Sequence, residues 1–312
     1  MAERALPPPR AEEVSDGVYA YIQDDGSWWI NNTGFIIGPR SVTAIDACAT
    51  EARTRALLDT IDRMAARPVG MLVNTHHHGD HTHGNHLFGR YGPVTIVGHE
   101  KCREEILAAG PPGPQYATVW EAPDWGEVVL APPVLTFRDA ITVWVDDLRC
   151  ELRHLGTPAH TTNDSVVWLP DRSVLFTGDL LFNGGTPFLL MGSLAGARQT
   201  VAALKDFGAR TIVPGHGRVG GPELIDNVLA YLTFLDDLAR RGHAAGLSPL
   251  EAAREADLGG FAALSDAERL VGNLHRAYAE LNGAERGAPI DLPAALVDMV
   301  AYNGGQRLRC LA

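Results

Sequence analysis

Lysine is nearly absent from this chain of 312 residues, which contains only Lys101 and Lys205. Lysine and arginine together number 26 against 38 aspartates and glutamates, so the formal net charge is −12 at pH 7. A surface of that sign repels the phosphates of nucleic acids and the headgroups of anionic membranes. We therefore expect no nucleic-acid partner and no membrane partner, and an acidic carrier protein would need a local basic patch in order to bind.

Cysteines are few, and long apolar segments are missing. The four cysteines are widely spaced and form no Cys-x-x-Cys pair: Cys48, Cys102, Cys150 and Cys310. This pattern predicts buried free thiols in a reducing compartment. Residues 1–10 lack the apolar core of a signal peptide, and no run of about 18 apolar residues occurs. We therefore expect a cytoplasmic protein without a transmembrane segment.

The chain does contain enough apolar sequence for a large core. Hydrophobic residues make up 46% and charged residues 21%, a composition that excludes a disordered chain. A length of 312 residues fits one large α/β domain with an appendage. We expect a flexible lead-in over 1–15, an α/β domain over 16–245 and a C-terminal helical extension over 246–312.

Hydrophobic periodicity predicts the secondary structure. The predicted strands are 18–22, 34–37, 41–46, 70–74, 93–97, 127–130, 141–145, 149–155, 164–169 and 173–176. An apolar stripe with helical spacing predicts a helix over 52–64, so that the strands on either side of it form a βαβ unit. Further stripes from residue 222 onward predict helices, with capping boxes at 248–251 and 265–268.

The most informative segment is 74–85, which follows a predicted buried strand. His76 and His78 are two residues apart, so on an extended chain both side chains point the same way. Asp80 and His81 follow at a turn, where adjacent side chains can reach different targets. This His-x-His-x-Asp-His pattern offers donors that suit zinc, and also iron or manganese. A polar, histidine-rich surface loop is the alternative.

Three further strand ends each carry one potential metal ligand. His160 lies in Gly-Thr-Pro-Ala-His, Asp179 in Phe-Thr-Gly-Asp, and His216 in Val-Pro-Gly-His-Gly. Ligand sites in α/β sheets usually lie at the carboxyl ends of strands. Each of these residues alone is a weak signal, but in this order after the His-x-His-x-Asp-His segment they are jointly specific.

The complete set resembles the metallo-β-lactamase superfamily over roughly residues 16–245. The resemblance implies an α/β fold, the αββα sandwich, with a two-metal site at one edge of the sheets. It also implies a role for seven residues: His76, His78 and His160 as ligands of the first metal, Asp80, His81 and His216 as ligands of the second, and Asp179 as the bridge.

Such a site would hold two divalent ions about 3.5–4 Å apart, with Zn2+ expected and iron or manganese as alternatives. By resemblance, a metal-bridging hydroxide attacks a carbonyl carbon, while Asp80 is the catalytic residue that orients the hydroxide and passes a proton. Aspartate at position 179 is similar to the glyoxalase II, lactonase and thioesterase branches; class B β-lactamases have cysteine or serine around the second metal there. We therefore predict a metal-dependent hydrolase of thioesters, esters or lactones.

Two apolar segments adjoin the expected site. Trp28 and Trp29 cannot both face one core on a strand, so we expect one of them to be exposed or to cover a cleft, with simple packing as the alternative. Residues 182–196 are apolar and rich in glycine, which favours the wall of a roomy pocket over a buried connection. The predicted substrate is a hydrophobic acyl compound, free or bound to a carrier protein. The extension over 246–312 either covers this pocket or builds a homodimer contact.

Several nearby polar residues have no assigned role in this pattern. We expect His77 to be packed or solvated, and His83 and His86 to be structural rather than ligands. Thr161 and Asp164 either fix the orientation of His160 through hydrogen bonds or cap a turn, and the sequence leaves both open.

The Gly-Thr-Pro-Phe segment at 185–188 and the helical tail are similar to cyclase/thioesterase proteins of this fold in actinobacterial aromatic polyketide pathways. That likeness implies release or ring closure of a polyketide acyl thioester, or hydrolysis of a related lactone. The alternatives are an iron-dependent persulfide dioxygenase, a class B-like β-lactamase, a nuclease and a metal-binding protein without catalysis. Metal identity separates the predicted hydrolase from the dioxygenase, because the hydrolase would hold two zinc ions per chain and the dioxygenase uses one iron.

Overall fold

The computed structural model describes residues 6–114, 116–121 and 123–312, and this part of the chain contains two β-sheets. The first sheet has seven strands in chain order: β1 (Arg10–Ser15), β2 (Val18–Ile22), β3 (Thr33–Ile37), β4 (Val42–Ile45), β5 (Val69–Val73), β6 (Thr95–His99) and β7 (Leu135–Phe137). Strands β1 to β4 are antiparallel neighbours, whereas β4 to β7 run parallel. The carboxyl ends of β4, β5 and β6 therefore meet at one edge of the sheet.

The second sheet has five strands: β8 (Ala140–Val145), β9 (Leu148–His154), β10 (Ser165–Leu169), β11 (Val174–Asn183) and β12 (Thr211–Gly217). Strands β8 to β11 form an antiparallel meander. Strand β12 pairs with β11 in parallel, and the register between them shifts twice near Gly178. This irregular pairing lies where β11 carries one of the predicted metal ligands, Asp179.

The α-helices among the described residues are α1 (Glu51–Met64), α2 (Gly79–Thr82), α3 (Glu100–Ala109), α4 (Tyr116–Val119), α5 (Leu194–Ala203), α6 (Glu223–Ala244), α7 (Pro249–Glu255), α8 (Arg269–Leu281) and α9 (Leu292–Tyr302). Helix α1 begins after Thr50, whose side chain accepts a hydrogen bond from the backbone of Arg53. The predicted capping box at Ser248 precedes α7. The one predicted at 265–268 is wrong: α8 begins at Arg269 and has no side-chain cap from Glu268.

Apolar clusters hold these elements in four layers. One cluster lies between the sheets, where Val18, Ile22 and Val73 of the first sheet share a core with Leu152 and Val213 of the second. Another joins the outer face of the first sheet to α1, and a third joins the outer face of the second sheet to α5, α6 and α8. This arrangement is the αββα sandwich that the sequence predicted, so the fold class is confirmed.

Three local predictions are wrong. Residues 10–15 are not a flexible lead-in, because they form β1 and pair antiparallel with β2; residues 1–5 lie outside the described residues. Residues 127–130 form no strand, since Val129 is exposed and the segment runs along the mouth of a cavity. Strand β11 does not end at Phe176 but continues to Asn183, because β12 pairs with it along that length.

The C-terminal region is helical, as predicted. Helices α7, α8 and α9 pack on one another, and α7 and α8 also pack on α6. Leu274, Ala277 and Met299 belong to the same core as the second sheet. The boundary at residue 245 stays a prediction. Among the described residues, none of these helices combines the length and hydropathy that a bilayer span requires.

Candidate metal centre

Four residues from three separate loops and strands form the first ligand group. His76 and His78 follow β5, His160 lies between β9 and β10, and Asp179 lies on β11. Nδ1 of His78 is 2.8 Å from Nε2 of His160, which in turn is 3.3 Å from Oδ2 of Asp179. Nε2 of His76 is 4.0 Å from the same carboxylate oxygen. All four donors therefore converge on one small volume.

A second group shares Asp179 with the first. Its other members are Asp80 and His81 on α2 and His216 on β12. Nε2 of His81 is 3.1 Å from Oδ1 of Asp179, and Nε2 of His216 is 3.3 Å from Oδ2. Nε2 of His216 is also 3.2 Å from Oδ2 of Asp80. The structure thus brings all seven predicted residues together and puts the Asp179 carboxylate between the two groups.

Two glycines allow close contacts around Asp179: Gly215 with its carboxylate, and Gly178 with Thr75. A Cβ at Gly215 would lie 1.9 Å from Oδ1 of Asp179, a separation that no side chain can adopt. Gly178 has φ +49, and a Cβ there would lie 2.6 Å from Oγ1 of Thr75. The sequence motifs Thr-Gly-Asp and Pro-Gly-His therefore describe a close approach of two strands, not only a turn.

Asp46 holds His81 in place, and the sequence analysis missed it. It follows β4 with φ +60, and its Oδ2 is 2.8 Å from Nδ1 of His81. The same carboxylate accepts hydrogen bonds from the backbone N–H and the hydroxyl of Thr75, beside His76. Such partners fix the tautomer and orientation of a metal-binding histidine. A carboxylate at the end of β4 is the same signal that identified Asp179, so the sequence did contain the clue.

In the first ligand group, the pKa shifts favour neutral imidazoles and an ionised carboxylate. Burial lowers the pKa of His76 and of His78 well below the usual value, and nearby histidines add to the effect. Burial alone would raise the pKa of Asp179, but His216, His81 and His160 hold it well below the usual range. Neutral imidazoles and an ionised carboxylate are the forms that bind metal ions.

The second group behaves differently because its carboxylates surround its histidines. Burial would lower the pKa of His81 and His216, yet Asp179 and Asp80 raise both, and Asp46 also raises that of His81. Metal ions would therefore compete with protons for these two imidazoles.

The donor set fits two divalent ions. Nε2 of His76 faces the centre and is buried without a hydrogen-bond partner among the described residues. Nε2 of His81 and Oδ1 of Asp179 are also buried, and they approach each other at 3.1 Å without forming a hydrogen bond. Orphaned donor atoms of this kind cost free energy unless something pairs with them. Imidazole and carboxylate donors suit Zn2+, Fe2+ or Mn2+. The cluster is therefore suited to a dinuclear site, whichever of these metals fills it.

The centre opens into a cavity of about 810 Å3. Aromatic side chains from several loops make up much of its wall: Trp28, Trp29, Tyr116, Trp120, Phe182 and Phe188. Both tryptophans are buried, and a turn with Trp29 at φ +65 lets both reach the cavity, which a strand would not allow.

The segment 182–196 contributes a wall of the same cavity, as predicted. Its lining residues are Phe182, Phe188, Leu190 and Met191. Helix α9 forms another part of the wall with Leu292, Leu296, Val297 and Val300.

The remaining histidines and polar residues have structural contacts. His77 is buried and accepts a hydrogen bond from Nδ2 of Asn163, as expected for a packed residue. His83 stacks on Trp29 and lines the cavity, which its sequence position did not reveal. Asp164 accepts from the backbone and hydroxyl of Thr161, so this pair caps the turn that carries His160 rather than contacting its ring.

The sequence of this chain is similar to those of known proteins. The family model described as "Metallo-beta-lactamase superfamily" matches residues 26–216. A type 2 metallo-beta-lactamase from Bacteroides fragilis is 26% identical over 226 residues, which cover 69% of this chain and 82% of that protein. An acyl-coenzyme A thioesterase from Bos taurus is 28% identical over 182 residues, covering 52% of this chain and 61% of the relative.

Solved structures agree at the level of the fold. A metallo-beta-lactamase from Pontibacter korlensis superposes with a TM-score of 0.60 and 22% identity, covering 72% of this chain and 99% of that one. The chain spans only about three-fifths of the thioesterase relative, so whole-protein properties do not carry over from it.

Proposed function

The chain belongs to the metallo-β-lactamase superfamily, and on that premise we propose that it is a dinuclear hydrolase of thioester, ester or lactone bonds in hydrophobic acyl substrates. Its broad class, a metal-dependent hydrolase, follows from the superfamily and its characterised relatives. The observation that carries the finer proposal is the junction of two ligand groups, joined by Asp179, with one large apolar cavity.

We assign the first ion to His76, His78 and His160, and the second to Asp80, His81 and His216, with Asp179 shared. Zn2+ is the proposed metal, because nitrogen-rich sites with carboxylates suit it. When bound, two such ions lower the pKa of water and polarise a carbonyl group.

Asp80 is the proposed catalytic residue. Its carboxylate belongs to the second group and also lines the cavity, so it faces both the ions and the substrate. His81 and His216 keep this buried carboxylate ionised by lowering its pKa, although burial alone would raise it. An ionised carboxylate at that position can orient the attacking water and accept its proton. Asp80 can then pass that proton to the departing alkoxide or thiolate, which leaves as the alcohol or thiol.

The cavity favours a neutral, hydrophobic acyl group. Arg269 is the one arginine or lysine among the described side chains that line it, and Arg269 is 1% exposed and paired with Asp266. Among the described residues, no arginine or lysine side chain of the cavity wall is therefore free to bind a carboxylate on the acyl chain. The aromatic wall fits planar rings. An aromatic polyketide acyl thioester is accordingly our specific proposal, with ring closure or release as the reaction.

The test is a hydrolysis panel with an aryl-acyl thioester, its acetyl counterpart, an aryl lactone and a β-lactam. We expect chelator-sensitive hydrolysis of the aryl-acyl compounds, well above that of the acetyl thioester, because only they fill the cavity. Asp179→Asn should reduce activity by at least the roughly 100-fold that loss of an outer ligand partner can cost. Asp171→Asn, at the opposite end of β11, is the matched control and should retain activity.

Preference for the β-lactam would move the assignment to a β-lactamase, the activity that the Bacteroides fragilis relative is named for. Oxygen uptake with a persulfide, on protein that holds one iron, would replace hydrolysis by a dioxygenase reaction.

A further inference from the structure

We infer that Phe182 and Arg269 form a stack that holds the His216 ring in the orientation required by the second metal ion, which makes Arg269 a positioning residue. This inference rests on the metal assignment in the proposed function. It ties the helical extension to the metal centre through one side chain at the start of α8.

His216 differs from the other histidine ligands in how its far nitrogen is satisfied. Nδ1 of His81 pairs with Asp46, Nδ1 of His160 with the carbonyl of Phe188, and Nδ1 of His76 contacts the hydroxyl of Thr75. Nδ1 of His216 is buried and has no hydrogen-bond partner among the described residues. On the Nδ1 side of the ring, packing therefore has to supply the restraint that a hydrogen bond supplies elsewhere, while Nε2 faces Asp80 and Asp179.

Phe182 supplies that packing. It lies opposite His216 in the register between β11 and β12. The two rings stack with centroids 5.0 Å apart and planes 10° apart, while His160 meets the edge of the same phenyl ring at 6.0 Å. A parallel aromatic face restricts rotation of the imidazole about its last side-chain bond. Phe182 thus does for His216 what a hydrogen bond does for the other ligands.

Arg269 also packs against the Phe182 ring. Its guanidinium carbon is 5.2 Å from the centroid of Phe182 and 4.2 Å from the ring of Trp28. A planar guanidinium can lie against aromatic faces, which the ammonium of lysine cannot do in the same way.

The position of Arg269 is itself fixed by several contacts. Nη1 donates to the carbonyl of Thr186 at 3.0 Å, and Nη2 pairs with Asp266 at 2.9 Å. The neighbouring Glu268 accepts a hydrogen bond from the indole of Trp28 at 2.6 Å. A fully buried arginine is costly unless its geometry is well satisfied. These contacts fix the start of α8 against the rings of Trp28 and Phe182.

Metal titration of the metal-free, full-length protein tests this stack. Zn2+ is added in competition with a chromophoric chelator, and the two binding constants are read separately. His216→Ala identifies which constant belongs to the second group. We expect Phe182→Leu to weaken that constant by about 10–100-fold, the range for lost partners of metal ligands, and to leave the other unchanged. Arg269→Lys should shift the same constant in the same direction, and Phe182→Tyr, which keeps the flat ring, should not.

Phe207→Leu is the matched control, because Phe207 also lies under an arginine, Arg153, at 5.8 Å but contacts none of the seven ligand residues. The melting temperature of each metal-free variant gives a second readout. A purely structural stack would lower that temperature in Phe182→Leu and leave both metal constants at the wild-type values, or weaken both equally, and either result overturns the inference. Should the wild type bind two ions but hydrolyse no acyl substrate, the proposed function fails while the titration still decides the role of the stack.

Discussion

At the scale of single residues, Asp46 illustrates how a ligand is held by a side chain far away in sequence. It lies 35 residues before His81, and its carboxylate is 97% buried against that histidine and Thr75. We expect Asp46→Asn to weaken binding of the second ion by about 10–100-fold, because an amide cannot supply the negative charge that steadies the imidazole. Chelator competition measures this loss. Asp171→Asn serves as the control, and an unchanged second binding constant in Asp46→Asn would contradict the role given to Asp46.

Gly215 provides a steric prediction at the same scale. A methyl group there would lie 1.9 Å from the Asp179 carboxylate, so Gly215→Ala should displace the shared ligand and lower the affinity for both ions. Gly260→Ala is the matched control, because no atom lies within 4 Å of its added Cβ. Metal content after dialysis against a weak chelator distinguishes the two variants. Full metal content in Gly215→Ala would show that Asp179 does not need this space.

The sequence could predict the ligand residues and offered Asp46 as a carboxylate at the end of a strand, but it could not show which ligand each supporting residue contacts. His76, His78, Asp80 and His81 are neighbours in the chain, so their spacing alone revealed a site. The contacts of Asp46 and Phe182 are made across strands and become visible only once the sheets are assembled. The expectation that Trp28 and Trp29 adjoin a cleft is confirmed, because both line the cavity. The expectation that they cannot face the same side was wrong, since alternation of faces holds for strands and these residues lie in a turn.

At the scale of elements, α9 forms part of the wall of the cavity into which the metal centre opens. Val300 lines the cavity, whereas Ala294 is an exposed residue of the same helix that does not. We expect Val300→Trp to fill part of the cavity and to reduce hydrolysis of an aryl-acyl thioester far more than that of an acetyl thioester. Ala294→Trp adds the same side chain on the outside and should change neither rate. Equal loss for both substrates in Val300→Trp would argue against α9 as the acyl wall.

The elements that were predicted correctly are those with a strong local pattern. Helix α1 and strands β2 to β5 each carry an apolar run or stripe that matches their burial. Strand β1 was missed because its residues are polar and partly exposed at the sheet edge, where pairing rather than burial stabilises it. The full length of β11 depends on pairing with β12, more than thirty residues later, which no local pattern encodes.

At the scale of the whole molecule, the accessibility of the four cysteine thiols measures how tightly the layers pack. All four are free thiols and buried, as the sequence predicted, and burial raises the pKa of Cys150 to about 12 and that of Cys310 to about 11. Buried thiols of raised pKa react slowly because the thiolate is the reactive form. We expect a thiol reagent at pH 8 to label none of them quickly in the folded protein and all four after denaturation. Rapid labelling of the folded chain would contradict the burial of the four thiols.

Metal content per chain, measured on protein isolated without added metal, tests the central claim most directly when aryl-acyl thioester hydrolysis is assayed on the same sample. We expect close to two Zn2+ or other divalent ions per chain, with hydrolysis that a chelator abolishes and added metal restores. A single iron per chain, with oxygen uptake on a persulfide and no thioester hydrolysis, would contradict it.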